Sequence, residues 1–79
     1  MRLKVTVMPK AGVLDPQGKA IQQALSGLGF AGVAEVRAGK VMLLDLAETD
    51  PDAARAAGEA MARKLLANMV IESFTVELA

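Results

Sequence analysis

Val33-Ala34-Glu35-Val36-Arg37-Ala38-Gly39-Lys40-Val41-Met42-Leu43-Leu44-Asp45-Leu46-Ala47 is the stretch that decides the fold of this chain. Residues 33 to 38 read as a strand, Gly39-Lys40 as a tight turn, and Val41 to Ala47 as a strand returning beside the first, so the pair predicts a hairpin. The returning strand is apolar on both faces except at Asp45, the pattern of a strand in the middle of a sheet.

The flanks repeat one another in kind. Leu3, Val5 and Val7 alternate with polar residues over 2–8, a half-buried strand, and Pro9 ends it because proline cannot donate to a ladder. Asp15-Pro16 has helix-start chemistry: the carboxylate accepts from an orphan amide and proline suits the first helical position. Ile21, Ala24, Leu25 and Leu28 then fall at i, i+3, i+4 and i+7. Gly29 supplies a left-handed ending, with Phe30 folding back onto the last turn. Gly18 and Gly27 weaken this helix by roughly 1 kcal/mol each relative to alanine. Asp50-Pro51 starts a second helix, with Asp52 at the positive end of its dipole. On its wheel Ala54, Ala57, Met61 and Leu65 make the apolar face, Arg55, Glu59 and Arg63 lie opposite, and Leu66 falls toward the charged side. Asn68 ends the helix. Residues 70–78 form a last strand, with Phe74, Val76 and Leu78 alternating with Ser73, Thr75 and Glu77.

The order is β-α-β-β-α-β. With right-handed crossovers it predicts a ferredoxin-like α/β (α+β) two-layer sandwich over residues 1–79, a single domain. The four-stranded antiparallel sheet has the order 4-1-3-2 and carries both helices on one face. The other face then bears Arg2, Lys4, Glu35, Arg37 and Asp45 around apolar Val41 and Leu43. A two-layer fold leaves that face to a partner, and Val41 and Leu43 are the candidate self-association residues, for a dimer or a tetramer.

Composition narrows the function. The 79 residues carry nine Lys plus Arg against nine Asp plus Glu, with pI about 6.2. No cysteine or histidine is present, so a Cys/His zinc site, a thiolate nucleophile and a Ser-His-Asp triad are excluded. A neutral chain lacks the basic footprint of a nucleic-acid binder. Val41 to Leu44 is the longest run of large apolar residues, far short of the roughly 20 that span a bilayer. The N-terminus lacks the apolar region of a signal peptide, so a cytoplasmic location is expected. Fifteen of the 42 apolar residues are alanine, so the core must be thin. Domains of this size bury only about 60% of their unfolded surface, which favours association.

Few residues suggest chemistry. The loop Pro9 to Leu14 precedes a helix N-terminus, where a phosphate could sit near Lys10. Acylphosphatases of this topology need an arginine in that loop and a positioned asparagine. Here the loop has no arginine, and the sole asparagine, Asn68, ends the other helix. RNA-recognition modules of the same topology stack bases on aromatics of the central strands, and these strands have none. Asp45, next to Arg2, Lys4 or Arg37 on the open sheet face, reads as part of a solvated salt-bridged patch, since a lone carboxylate with no histidine or second acid beside it offers little machinery for catalysis.

Three segments carry a family resemblance: Gly12-Val13-Leu14-Asp15-Pro16-Gln17-Gly18-Lys19-Ala20, Val36-Arg37-Ala38-Gly39-Lys40, and Leu66-Ala67-Asn68-Met69-Val70-Ile71-Glu72. In order and spacing, over essentially the whole chain, they resemble PurS, the small subunit of phosphoribosylformylglycinamidine (FGAM) synthase. The first run is the most specific of the three. The resemblance implies a subunit with no catalytic residue, no cofactor and no metal of its own. It would bridge a synthetase, PurL, which binds ATP and magnesium, and a glutaminase, PurQ, and support ammonia transfer in purine biosynthesis. The residues unusual for the fold alone, Lys10, Asp15, Gln17, Arg37, Lys40 and Asn68, are the expected partner contacts. The alternative is a stand-alone dimeric ligand-sensing module of ferredoxin-like topology.

Overall fold

The alternation at the N-terminus is realised in the computed structural model, which describes residues 1–79. β1 runs Arg2–Pro9, and Leu3, Val5 and Val7 are its fully buried positions. β2 (Lys40–Asp45) and β3 (Glu72–Leu78) flank it in one antiparallel sheet, order β2-β1-β3. Val5 lies opposite Met42 on one side and Val76 on the other, and Val7 lies opposite Phe74. Directly opposed residues share a face, so Met42, Leu44, Phe74 and Val76 join the core side. Lys4, Thr6, Val41, Leu43, Thr75 and Glu77 occupy the open side.

The helices are α1 (Pro16–Gly27) and α2 (Pro51–Met61). Both begin as expected. The Asp15 carboxylate accepts from the Gly18 amide at 3.0 Å, and the Asp50 carboxylate from Ala53 at 3.0 Å. α2 lies across β1 and β3. A Cβ at Gly58 would meet Leu3 at 2.7 Å and Val76 at 3.1 Å, so only glycine lets the helix come this close to the sheet. The helix then continues through a π-helical turn, Ala62–Leu66, in which the Ala67 amide donates to the Ala62 carbonyl. The wider turn carries on the inward stripe that Ala54 and Gly58 already set within α2. Ala54, Gly58 and Ala62 are buried and Leu66 packs on the core, while Leu65 is 83% exposed. The expected apolar face ending in Leu65 is thereby corrected.

The larger correction concerns residues 33–38. They form no strand, and the sheet has three strands instead of four, an α+β order of β-α-β-α-β. The reason lies at Gly39. A two-residue hairpin turn needs positive φ, yet only Gly12 and Gly29 have it. Gly39 serves close approach instead, since a Cβ there would collide with the Val7 carbonyl and with Met8. The chain therefore enters β2 without reversing, and β2 is an edge strand, not a central one.

The second consequence is that α1 leaves the sheet. It has no more than marginal contact with any strand or with α2, so the two helices do not share a sheet face. Its ending has the expected geometry, with Gly29 at φ +99° and the Phe30 amide donating to the Leu25 carbonyl at 2.9 Å. Phe30 itself is 60% exposed. The molecule extends 48 × 24 × 14 Å, with a radius of gyration of 15.8 Å, against about 12 Å for a compact chain of this length.

Candidate functional site

Three of the residues singled out in the sequence meet where the arm made by α1 and the segment after it leaves the sheet. Lys10 continues from the end of β1. Its amide donates to the Ile71 carbonyl and its Nζ to the Met69 carbonyl, each at 2.8 Å. Arg37 reaches back to the Pro9 carbonyl with its guanidinium. Asp15 divides its carboxylate: Oδ1 caps Gly18, and Oδ2 accepts from the Ala38 amide at 2.8 Å. These backbone bonds, Gly18 first and then Ala38, hold the Asp15 carboxyl below the usual carboxylate range, with Arg37 adding to the effect. Hydrogen bonds to the charged form favour it.

The segment 33–38 lies along α1 through the same device repeated. Gln22 Nε2 donates to the carbonyls of Val33 (3.1 Å) and Ala34 (2.8 Å). Between Asp15 and Gln22, Gly18 is buried under the Val36 carbonyl, which a Cβ would strike. Gly18 weakens the helix locally but is the position that lets the segment dock. Sequence reading had no signal for Gln22 in this role. The spacing Asp15, Gly18, Gln22 does place all three on one side of the helix.

An open groove of about 450 Å³ results, lined by Lys10, Asp15 and Arg37 together with Lys19, Gln22 and Glu35. Lys10 also borders a second cleft of about 470 Å³ on the α2 side, with Glu59, Arg63, Met69 and Phe74. Arg63 stands over the Phe74 ring at 5.5 Å. Asn68 is adjacent and organises the turn into β3. Its Oδ1 accepts from Val70 at 3.1 Å, its carbonyl from Glu72 at 2.7 Å, and its amide donates to the Glu72 carboxylate at 2.7 Å. Gln17 and Lys40 are exposed and line neither hollow. Lys10, Asp15 and Arg37 thus each join two stretches of chain.

On the open side of the sheet Val41 and Leu43 are 56% and 58% exposed. Glu35 and Arg37 are absent from that face because 33–38 is outside the sheet. Arg2 grips Asp45 at 2.8 and 3.2 Å, which keeps the Asp45 carboxyl below its ordinary range. No helix is long and apolar enough to cross a membrane.

Known proteins resemble the whole of this chain. Residues 2–79 match the family model "PurS: Phosphoribosylformylglycinamidine (FGAM) synthase". Phosphoribosylformylglycinamidine synthase subunit PurS of Mycobacterium leprae is 45% identical over 75 residues, covering 95% of this chain and 91% of that protein. The solved structure of Bacillus subtilis PurS is 43% identical and superposes with a TM-score of 0.85, covering 96% and 94%. A chain in the structure of PurLQS from Thermotoga maritima is 25% identical with a TM-score of 0.86, covering 96% and 93%.

Proposed function

Because the chain belongs to the PurS family, small subunits of the glutamine-dependent ligase FGAM synthase in purine biosynthesis, we propose that it is the non-catalytic bridge of that complex. It joins the synthetase PurL to the glutaminase PurQ and holds their active sites in register. Ammonia released from glutamine then reaches the synthetase without escaping to water. PurL contributes ATP and magnesium. The chain's own contribution is orientation, which turns an encounter of two enzymes into a step within one assembly.

The observation that carries this reading is the near-complete likeness to a chain of the Thermotoga maritima PurLQS structure. The geometry supports it. Lys10, Asp15 and Arg37 use their polar groups to hold backbone, and the groove they shape leaves Lys19 and Glu35 free at its wall. We assign partner contact to this groove and to the adjoining Gln17, Lys40 and Asn68.

Reconstitution with PurL and PurQ tests the reading. Omitting the chain should abolish glutamine-dependent FGAM formation and leave synthesis from free ammonium intact. Equal glutamine-dependent rates with and without the chain overturn it.

A further inference from the structure

We propose that the outer edge of β3 takes up an extended segment of a partner protein as a further strand of the sheet, seated in the cleft between β3 and α2. That the partner is a subunit of the synthase rests on the bridging role; the strand-pairing surface itself rests on the backbone and the charges around it.

β3 has one strand neighbour, β1, so its other edge is open. The ends of the ladder set its phase. The Lys10 amide donates to the Ile71 carbonyl and the Ala79 amide to the Arg2 carbonyl. Odd-numbered residues of β3 therefore bond to β1, and even-numbered ones turn their N–H and C=O outward. The Glu72 amide is taken by the Asn68 carbonyl at 2.7 Å. Phe74, Val76 and Leu78 are left with unpaired edge groups, a template for another strand. Natural edges are commonly blunted by proline, lysine or a bulge. Ser73-Phe74-Thr75-Val76 has none of these.

The cleft of about 470 Å³ follows this edge. Ser73 and Thr75, on the open face, line it together with Phe74 and Val76, which face the core. Successive side chains of a strand point to opposite faces, so a hollow touched by four residues in a row runs beside the backbone. Its far wall is α2 and the π-helical turn, through Glu59 and Arg63.

Charge says what the incoming strand carries. Lys10 is engaged by the Met69 carbonyl and the Glu72 carboxylate by the Asn68 amide. Arg63 and Glu59 have no ion pair within the chain. Arg63 stands over the Phe74 ring, and Glu59 follows Gly58, which rests against Val76. An added strand sets inward side chains two residues apart, one beside Phe74 and the next beside Val76. A carboxylate at the first position meets Arg63. A lysine or arginine at the second lays its stem on Val76 and its head on Glu59. The occupant is thus an extended segment with an acid and a base two residues apart on one face. β3 of a second copy does not fit, because its own inward residues there, Phe74 and Val76, are both apolar. A docked helix would leave the edge N–H and C=O groups buried and unpaired.

Hydrogen exchange on the chain alone and in the reconstituted complex with PurL and PurQ reads the edge directly. In the free chain the Phe74 and Val76 amides should exchange fast, while those of Ser73 and Thr75 are held by β1. In the complex Phe74 and Val76 should slow to the pace of Ser73 and Thr75. A working complex in which the two amides still exchange fast overturns strand addition and leaves the bridging role standing. Glutamine-dependent rates that are equal with and without the chain overturn both. Protection of Phe74 and Val76 already present in the free chain would show the edge occupied by a second copy and would also overturn the proposal. Arg63→Glu and Glu59→Arg test the charges. Each should weaken the affinity for PurL and PurQ by about tenfold while circular dichroism shows the fold retained. Unchanged affinity in either folded variant overturns the occupant assigned here.

Discussion

The body of this molecule and its arm are held together by different physics. In the body, residues 1–9 and 40–79, Leu3, Val5, Val7, Ala54 and Ala62 are wholly removed from water, and Gly58 lets α2 press onto the sheet. In the arm Gly18 is the one buried residue. The arm's order comes from Asp15, Gln22 and Arg37, each holding the backbone of a distant segment. Apolar burial is non-directional and scales with area, so it gives the body a cooperative core. Side-chain-to-backbone bonds are directional and individually modest, so the arm keeps its shape while leaving its apolar stripe for something else to cover. Two kinds of force thus hold two regions of one chain.

The sharpest way to break the comparison is to damage the body. Leu3 lies under α2 against Gly58, and Leu3→Ala leaves a cavity there. Such losses cost about 2–5 kcal/mol, and roughly 4–8 °C of Tm per kcal/mol in a domain of this size. Thermal unfolding should shift down as one transition and take the arm with it. A loss below about 1 kcal/mol would mean that the core is not where the body's stability resides.

A smaller effect is expected from the arm's own hinge of contact. Gly18→Ala pushes a Cβ into the Val36 carbonyl and the Asp15 carboxylate, an overpacking worth about 1–3 kcal/mol. Only the docking of 33–38 should feel it. Hydrogen exchange should quicken at Ala38, whose amide is held by Asp15, while amides of β1 stay protected. Equal loss of protection in β1 would show that arm and body are one cooperative unit.

These two regions also explain what was legible in the sequence. The strand at 2–8, both helix starts and the left-handed ending at Gly29 are local chemistry, readable from alternation, caps and glycine. The open sheet face with Val41 and Leu43 follows from period two alone. Two features were not readable. The π-helical turn that exchanges Leu65 for Leu66 depends on how α2 fits the sheet, and no residue type announces it. The failed hairpin depends on Gly39, which serves a turn or a close approach equally well until the Val7 carbonyl is known to lie beside it. Ala38-Gly39 also lacks the Asn-Gly or Asp-Gly signature of a two-residue turn. The site was half legible: Lys10, Asp15 and Arg37 do converge, Asn68 stands close by, and Gln17 and Lys40 stay apart. Gln22 was invisible because glutamine in mid-helix usually faces solvent.

The gentlest perturbation is acid, and it separates the two regions by their charges. The Asp15 carboxyl is held below its ordinary range in the folded arm, first by the Gly18 amide and then by Ala38. A depressed folded value means that its contribution is complete above the unfolded carboxylate pKa and is lost as pH falls through the folded one. The docking of 33–38 onto α1 should therefore loosen below the usual carboxylate range, seen as faster exchange at Gly18 and Ala38 and as shifted resonances around Gln22. The core of the body contains no buried charged or polar side chain; the body's one carboxyl held low, Asp45, pairs with Arg2 on the exposed sheet face, so acid there should weaken a surface cross-strand pair and leave the core packing in place. Asp15→Asn keeps one oxygen for the Gly18 cap, loses the paired carboxylate and should make the arm's looseness independent of pH. If the arm of that variant still loosened as the pH fell, Asp15 would not be its acid-sensitive group.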